Sequence, residues 1–134
     1  MISGKLWTGI CAWWVTADII FFSLLPGKVM SNFNFWQLLN ADKIGHFCFY
    51  SSASLFFLLR HHQKRRVNFV VGVSMFLMGA IIELLQATAV KDRMFDSMDL
   101  LANLMGSLFA LILFRMYQNQ WISVIYSGES KIKK

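Results

Sequence analysis

Four apolar segments, separated by short polar connections, account for most of this 134-residue chain. Each is long enough to cross the hydrocarbon core of a bilayer as a helix, which takes roughly 17–25 residues. Hydrophobic residues make up 57% of the sequence and charged residues only 15%, a composition too apolar for a soluble domain of this length. We therefore predict an all-α membrane protein: one domain, 1–134, forming a four-transmembrane-helix bundle with helices at about 5–25, 43–60, 67–89 and 97–116.

Two further segments flank or interrupt these helices. Residues 29–41, between the first two helices, mix aromatic with polar side chains and are too short to span a membrane. Aromatic rings favour the headgroup level, so this stretch is predicted to be a short interfacial or re-entrant segment. Residues 117–134 end in Lys131, Lys133 and Lys134 and are predicted to form a basic cytoplasmic tail beside anionic lipid.

The net charge of +6 raises the possibility of nucleic-acid binding, but the positions of the basic residues favour a topological explanation. With both termini in the cytoplasm, nine of the 13 Lys and Arg residues lie on the inner side, including those of the turn at 60–66. Cytoplasmic loops of membrane proteins carry such an excess of positive charge. The prediction is a multi-pass protein with cytoplasmic termini, whose partner is the lipid bilayer and not a nucleic acid.

The predicted fourth helix begins with a polar face. At about 100° per residue, Asp96, Asp99, Asn103 and Gly106 fall within an arc of about 80°. Carboxylates and amides are costly in lipid unless they meet partners, so this face is predicted to point into the bundle. A stripe of small residues, of the kind that lets helix backbones approach closely, continues below it at Ala102, Gly106 and Ala110.

The second and third helices carry polar groups that could meet this face. On the second helix His46 has Asp42 four residues before it and Tyr50 four residues after it, with Lys43 on the same side. This spacing predicts a network that orients the His46 ring. The third helix adds two polar residues one turn apart near its outer end, Glu83 and Gln86.

Together with the last outer connection, these helices predict one polar site at the outer end of the bundle. Its cations suit a phosphate or carboxylate, and its carboxylates and histidine suit a divalent metal or acid–base chemistry. The chain contains no HExxH or CxxC motif, no Gly-rich phosphate loop and no nucleophile placed against a base, so no metal or cofactor is assigned. The candidate ligand-binding residues are Asp42, Lys43, His46, Tyr50, Glu83, Gln86, Arg93, Asp96, Asp99 and Asn103.

The order and spacing of these motifs resemble the VanZ-like family of small bacterial membrane proteins. The resemblance runs from about residue 23 to 114 and includes the Leu-Leu-Pro26 end of the first helix. It implies a protein of the bacterial cytoplasmic membrane, in a family named for a member associated with low-level resistance to the glycopeptide teicoplanin. The family has no agreed catalytic assignment. The three matching motifs are Asp42-Lys43-x-x-His46-x-x-x-Tyr50, Glu83-x-x-Gln86 and Arg93-x-x-Asp96-x-x-Asp99-x-x-x-Asn103-x-x-Gly106.

Three functional interpretations remain open at this point. In the first, a non-enzymatic envelope protein binds a lipid headgroup, glycolipid or lipid-tailed glycopeptide through Lys43 and Arg93. In the second, an intramembrane hydrolase or transferase acts on a lipid-linked substrate, with Glu83 as general base, His46 oriented by Asp42, and a metal held by His46, Glu83 and Asp99. In the third, the polar residues only tie the helices together. The sequence leaves the oligomeric state undetermined.

Overall fold

The computed structural model describes residues 3–26, 28–29, 41–64, 66–91 and 93–126. These residues form four long helices, α1 (Gly4–Ser23), α2 (Ala41–Arg60), α3 (Val67–Ala89) and α4 (Ser97–Tyr126). The described segments contain no strand, which confirms the all-helical prediction. The predicted interfacial segment at 29–41 lies almost wholly outside the described residues, as does the end of the basic tail at 127–134.

Three of the four helices, α1, α3 and α4, are long and apolar enough to cross a membrane by themselves. Helix α2 does not meet this criterion, so the prediction of four spans is supported only in part. The reason lies in its sequence, because α2 opens with Asp42, Lys43 and His46 and closes with Arg60. A helix with so many polar groups needs protein neighbours more than lipid.

Helix α2 has such neighbours, because it packs against α4 and α1 along its length and also contacts α3. Its buried face includes Tyr50, Ala53 and Ser54, none of which is exposed at all. The backbones of α2 and α4 approach closely at Gly106, where an added Cβ would collide with the carbonyl oxygen of Phe47. The close approach predicted for the small residues of the last helix is therefore present at Gly106.

The last helix continues to Tyr126, ten residues beyond the predicted end at 116. The extra turns are held by tertiary contacts, since Trp121 and Ile125 pack against the buried core. The Tyr126 hydroxyl donates a hydrogen bond to the Leu59 carbonyl at 3.0 Å. Residues that a sequence pattern assigns to a solvated tail are thus part of the bundle.

The start of α1, the turn after α2 and the end of α4 lie at one end of the bundle. Arg60 donates a hydrogen bond to the Lys5 carbonyl at 2.7 Å, and an added Cβ at Gly4 would meet the carbonyl of Ile125 at 2.6 Å. The turn between α3 and α4 therefore lies at the opposite end. Both termini of the described bundle share an end with the basic turn, as the charge distribution predicts.

The outer surface of the bundle is strongly apolar. Trp14 is 70% exposed, Phe69 72% and Leu84 61%, and similar side chains project from each helix. A soluble monomer rarely exposes apolar surface on this scale, whereas lipid tails cover it without cost. The exposed surface therefore agrees with a protein that lies in a membrane.

We predict that Gly106→Ala destabilises the protein, because the new methyl group meets backbone atoms of α2 that cannot rotate away. The expected loss is about 1–3 kcal/mol in the free energy of unfolding, typical of overpacking a close contact. Gly72→Ala is the matched control, since its methyl group would make an ordinary 3.5 Å contact with the Leu111 side chain. Unfolding midpoints in mild detergent measure both variants, and equal midpoints would refute the close α2–α4 contact.

Candidate functional site

The ten predicted site residues lie at the end of the bundle where α1 and α3 end and α2 and α4 begin. They divide into two adjoining groups. Five of them line a pocket between α1, α2, α3 and the connection to α4, namely Asp42, His46, Tyr50, Gln86 and Arg93. The other five form a polar network beside this pocket, namely Lys43, Glu83, Asp96, Asp99 and Asn103.

Lys43 is the centre of the network. Its ammonium nitrogen lies 2.6 Å from Asp96 Oδ2 and 2.8 Å from Asp99 Oδ1, joining the start of α2 to the start of α4. The hydrogen bond from Lys43, together with the N–H of Met98, lowers the pKa of Asp96 below its ordinary value. The contribution of ionised Asp96 to stability is therefore fully present at a pH above the ordinary carboxyl pKa. It is lost as the pH falls through the lowered pKa of Asp96 in the folded protein.

His46 is oriented by a residue of another helix. Its Nδ1 lies 2.9 Å from the Asn103 side-chain oxygen, which can only accept a hydrogen bond, so Nδ1 donates to it. The sequence predicted orientation by Asp42 and Tyr50, but Asp42 stays 3.9 Å from Nε2, and the Tyr50 ring only stacks beside the imidazole. The orienting contact crosses from α2 to α4, which the spacing within α2 alone does not reveal.

The pocket itself is small, with a volume of about 30 Å³. Ile19, Phe22 and Phe49 form its apolar walls, and the rings of Phe22 and Phe49 stack at 5.9 Å. Pockets that enclose a whole drug-sized ligand have volumes of roughly 300–1,000 Å³. This pocket therefore has room for one small polar group or an ion, while any larger molecule attached to it must lie outside.

Arg93 contributes the cation that lines the pocket. Its side chain is 16% exposed, and its Nη1 lies 3.7 Å from Asp42 Oδ2, too far for a good hydrogen bond. Its Nε is buried and has no hydrogen-bond partner in the described part of the chain. A guanidinium has five N–H donors, so Arg93 retains capacity for an anion. Lys43, by contrast, already contacts two carboxylates.

Glu83 does not line the pocket. It is 1% exposed, and its Oε2 accepts a hydrogen bond from the Asp96 backbone N–H at 3.3 Å. Its Oε1 has no hydrogen-bond partner within the described segments. Glu83 therefore holds the connection between α3 and α4 near the network, a position that gives no support to its predicted role as general base.

Three ligand atoms of the kind that bind metals converge at the edge of the pocket. They belong to Asp42, His46 and Asp99, and all lie within 4.8 Å of one another. The metal ligands suggested by the sequence were His46, Glu83 and Asp99. In the structure, Asp42 and not Glu83 lies with His46 and Asp99. Helix α2 supplies two of the three atoms from adjacent turns, which is the geometry of residues four apart.

One site contact was not predicted. Gln86 donates a hydrogen bond from its side-chain amide to the backbone carbonyl of Ser23 at 2.8 Å, joining α3 to the end of α1. The last carbonyls of a helix lack partners within the helix, so the stop signal at Pro26 could have indicated an acceptor here.

Asp18, the ionisable residue within α1, is half-buried and does not line the pocket.

We predict that Lys43→Gln destabilises the protein, because two carboxylates at the α2–α4 contact would lose their cation. The expected cost is roughly 2 kcal/mol, less than the ~3–5 kcal/mol for fully buried pairs, because the Lys43 side chain is 30% exposed. Lys91→Gln, which removes a charge from an exposed residue of the nearby connection, should change little. Unfolding midpoints in detergent test this, and equal effects of the two substitutions would contradict a structural role for Lys43.

Comparison with protein families gives a match that covers most of the chain. The family model described as VanZ/LLP1 matches residues 6–118, a range that contains every predicted site residue and parts of all four helices. Comparisons with curated proteins and with solved structures returned no match. The match extends over far more than half of the sequence, and with three helices able to span a bilayer it identifies a multi-pass membrane protein. The chain belongs to the VanZ/LLP1 family.

Proposed function

We propose that this protein is a non-enzymatic component of the bacterial cell envelope that binds the anionic group of a lipid headgroup, a glycolipid or a lipid-tailed glycopeptide of the teicoplanin type. In this proposal it lies in the cytoplasmic membrane with α2 as a fourth span and both termini in the cytoplasm. The pocket then opens at the outer leaflet. Family membership supports the membrane assignment, and the nature of the ligand is inferred from the pocket.

The observation that carries the proposal is that Arg93 lines the pocket and has N–H donors to spare. A mostly buried guanidinium, whose buried Nε has no partner within the described residues, lines a pocket too small for a whole ligand but large enough for one polar group. Arg binds phosphate and carboxylate through paired N–H donors, and burial strengthens such contacts. An anionic group at Arg93 would satisfy these donors while the rest of the molecule stays outside.

The walls of the pocket favour a ligand with a lipid part. Phe22, Phe49 and Ile19 stand beside Arg93, so an apolar chain attached to the anion would meet an apolar surface at the bundle edge. The hydrolase alternative has less support, because its proposed base, Glu83, lies away from the pocket. The purely structural alternative accounts for Lys43, but it does not explain the unpartnered donor of Arg93.

We expect Arg93→Gln to abolish ligand retention in a folded protein, because it removes the cation and keeps a side chain of moderate size. Native mass spectrometry of gently extracted wild type should show an added mass that Arg93→Gln lacks. Lys91→Gln, in the same connection but exposed and outside the pocket, is the control and should keep that mass. Wild type and Arg93→Gln should differ likewise in the teicoplanin susceptibility of a bacterial host.

Two results would reject this function. One is retention of the same mass by folded Arg93→Gln. The other is a wild type that carries no added mass, together with a lower unfolding midpoint in Arg93→Gln and unchanged drug susceptibility, which would make the polar residues structural.

The proposed topology predicts the accessibility of the two ends of the bundle. A membrane-impermeant thiol reagent added to intact cells should label Lys91→Cys and leave Lys64→Cys unlabelled, in a background with Cys11 and Cys48 replaced by Ala. Both positions lie in connections, Lys91 after α3 and Lys64 in the basic turn. Permeabilised cells, in which both sites should react, provide the control, and the reverse labelling pattern would invert the topology.

A further inference from the structure

The three converging ligand atoms at the edge of the pocket are arranged around a common gap. His46 Nε2 lies 3.9 Å from Asp42 Oδ1 and 3.9 Å from Asp99 Oδ2. These distances are too long for hydrogen bonds. A neutral imidazole would present the Nε2 lone pair to two carboxylate oxygens, and a cation bound between the three atoms would remove that repulsion.

Each of these three groups has another residue on the side that faces away from the gap. His46 Nδ1 pairs with the Asn103 oxygen at 2.9 Å, so the Nε2 lone pair points toward the carboxylates. Asp99 accepts a hydrogen bond from Lys43 through Oδ1, and Asp42 Oδ2 lies 3.7 Å from Arg93, so the other oxygen of each carboxylate is the one nearer His46. Metal-binding histidines are oriented in this way, with the second ring nitrogen donating to an oxygen.

A second, independent observation comes from the pocket that Asp42 and His46 line. Tyr50 lines the same pocket, is 0% exposed, and its hydroxyl has no hydrogen-bond partner within the described segments. A buried hydroxyl without a partner is costly, and a water bound to an ion in the pocket could supply one. The charges point the same way, because the ion-paired cluster contains three carboxylates (Asp42, Asp96 and Asp99) and two cations (Lys43 and Arg93).

We propose that Asp42, His46 and Asp99 bind one divalent transition-metal ion of the zinc class. Zinc bonds of about 2.0–2.2 Å in tetrahedral geometry place ligand atoms about 3.4 Å apart. Each 3.9 Å gap would then close by about half an ångström, and the Asp42–Asp99 separation, which is at most 4.8 Å, by no more than about 1.4 Å. A water would complete the four ligands. Imidazole with carboxylates favours zinc over magnesium, which prefers oxygen ligands and keeps several waters. This site shares its pocket with the proposed headgroup site at Arg93, and the metal is titrated alone so that the two proposals can be tested separately.

The test is a titration of the full-length, chelator-treated protein in detergent with Zn²⁺, followed by calorimetry and by metal analysis after desalting. We expect one Zn²⁺ per chain in the wild type, with Mg²⁺ bound far more weakly. Asp42→Asn and His46→Gln should each weaken Zn²⁺ binding at least about 100-fold, at or beyond the upper end of losses caused by outer-shell changes. Asp42 begins the helix and its side chain is 36% exposed, so Asp42→Asn should fold even if His46→Gln does not.

Two controls distinguish Zn²⁺ binding by the three proposed ligands from nonspecific attraction of Zn²⁺ to negative charge or to other histidines. Asp96→Asn removes one charge from the same cluster without removing a proposed ligand, and it should weaken Zn²⁺ binding far less than Asp42→Asn. The double variant His61→Gln/His62→Gln removes the histidines at the opposite end of the bundle and should bind Zn²⁺ as the wild type does. X-ray absorption should show an imidazole ligand in the wild type.

Three outcomes would overturn the metal site. They are a folded wild type that binds no stoichiometric Zn²⁺, unchanged binding in folded Asp42→Asn, and an equal loss in Asp96→Asn. None of these depends on whether a lipid or glycopeptide is retained, because the titration uses the metal alone. If Arg93→Gln loses the added mass but still binds Zn²⁺, the metal site is supported separately from the headgroup site.

Discussion

The contact of Lys43 with Asp96 and Asp99 is the interaction on which the rest of this structure depends. It joins the starts of α2 and α4 at the same level. Lower down, the backbones of these helices meet at Gly106. Ion pairing and close backbone approach support each other, since the ammonium reaches both carboxylates only when the helices are near, and burial of polar groups is tolerable only when they are paired.

The contact of Lys43 with Asp96 and Asp99 helps explain why α2, the least apolar of the four helices, can lie inside a membrane protein. Helix α2 is surrounded by α1, α3 and α4, and its polar residues face those neighbours and not lipid. Within the described residues, the same arrangement leaves buried polar atoms without a partner on Tyr50, Glu83, Arg93 and Asn103 at one end, and on Ser54 one turn further along α2. Because buried polar groups are usually paired, the unpartnered atoms at this end concentrate much of the hydrogen-bonding capacity that the described bundle leaves unused.

Much of this organisation could be predicted from the sequence. The polar faces of three helices and the motif spacing identified all ten residues that gather at this end of the bundle. Other features could not be predicted, because they depend on how helices meet. Spacing within α2 suggested Asp42 as the partner that orients His46, yet Asn103 of α4 takes that position. The end of α4 was placed too early, because Trp121 and Tyr126 are held by contacts with the core and with α2.

The sequence by itself determined the apolar helices, the polar faces and the family, since these follow from hydrophobic length, helical periodicity and motif order. Only the tertiary structure decided which polar groups touch. It assigned Lys43 to two carboxylates, placed Glu83 outside the pocket, and left Arg93 lining it with an unpartnered donor. The physical reason is that periodicity sets the face on which a side chain lies, whereas helix packing sets its neighbour across the interface.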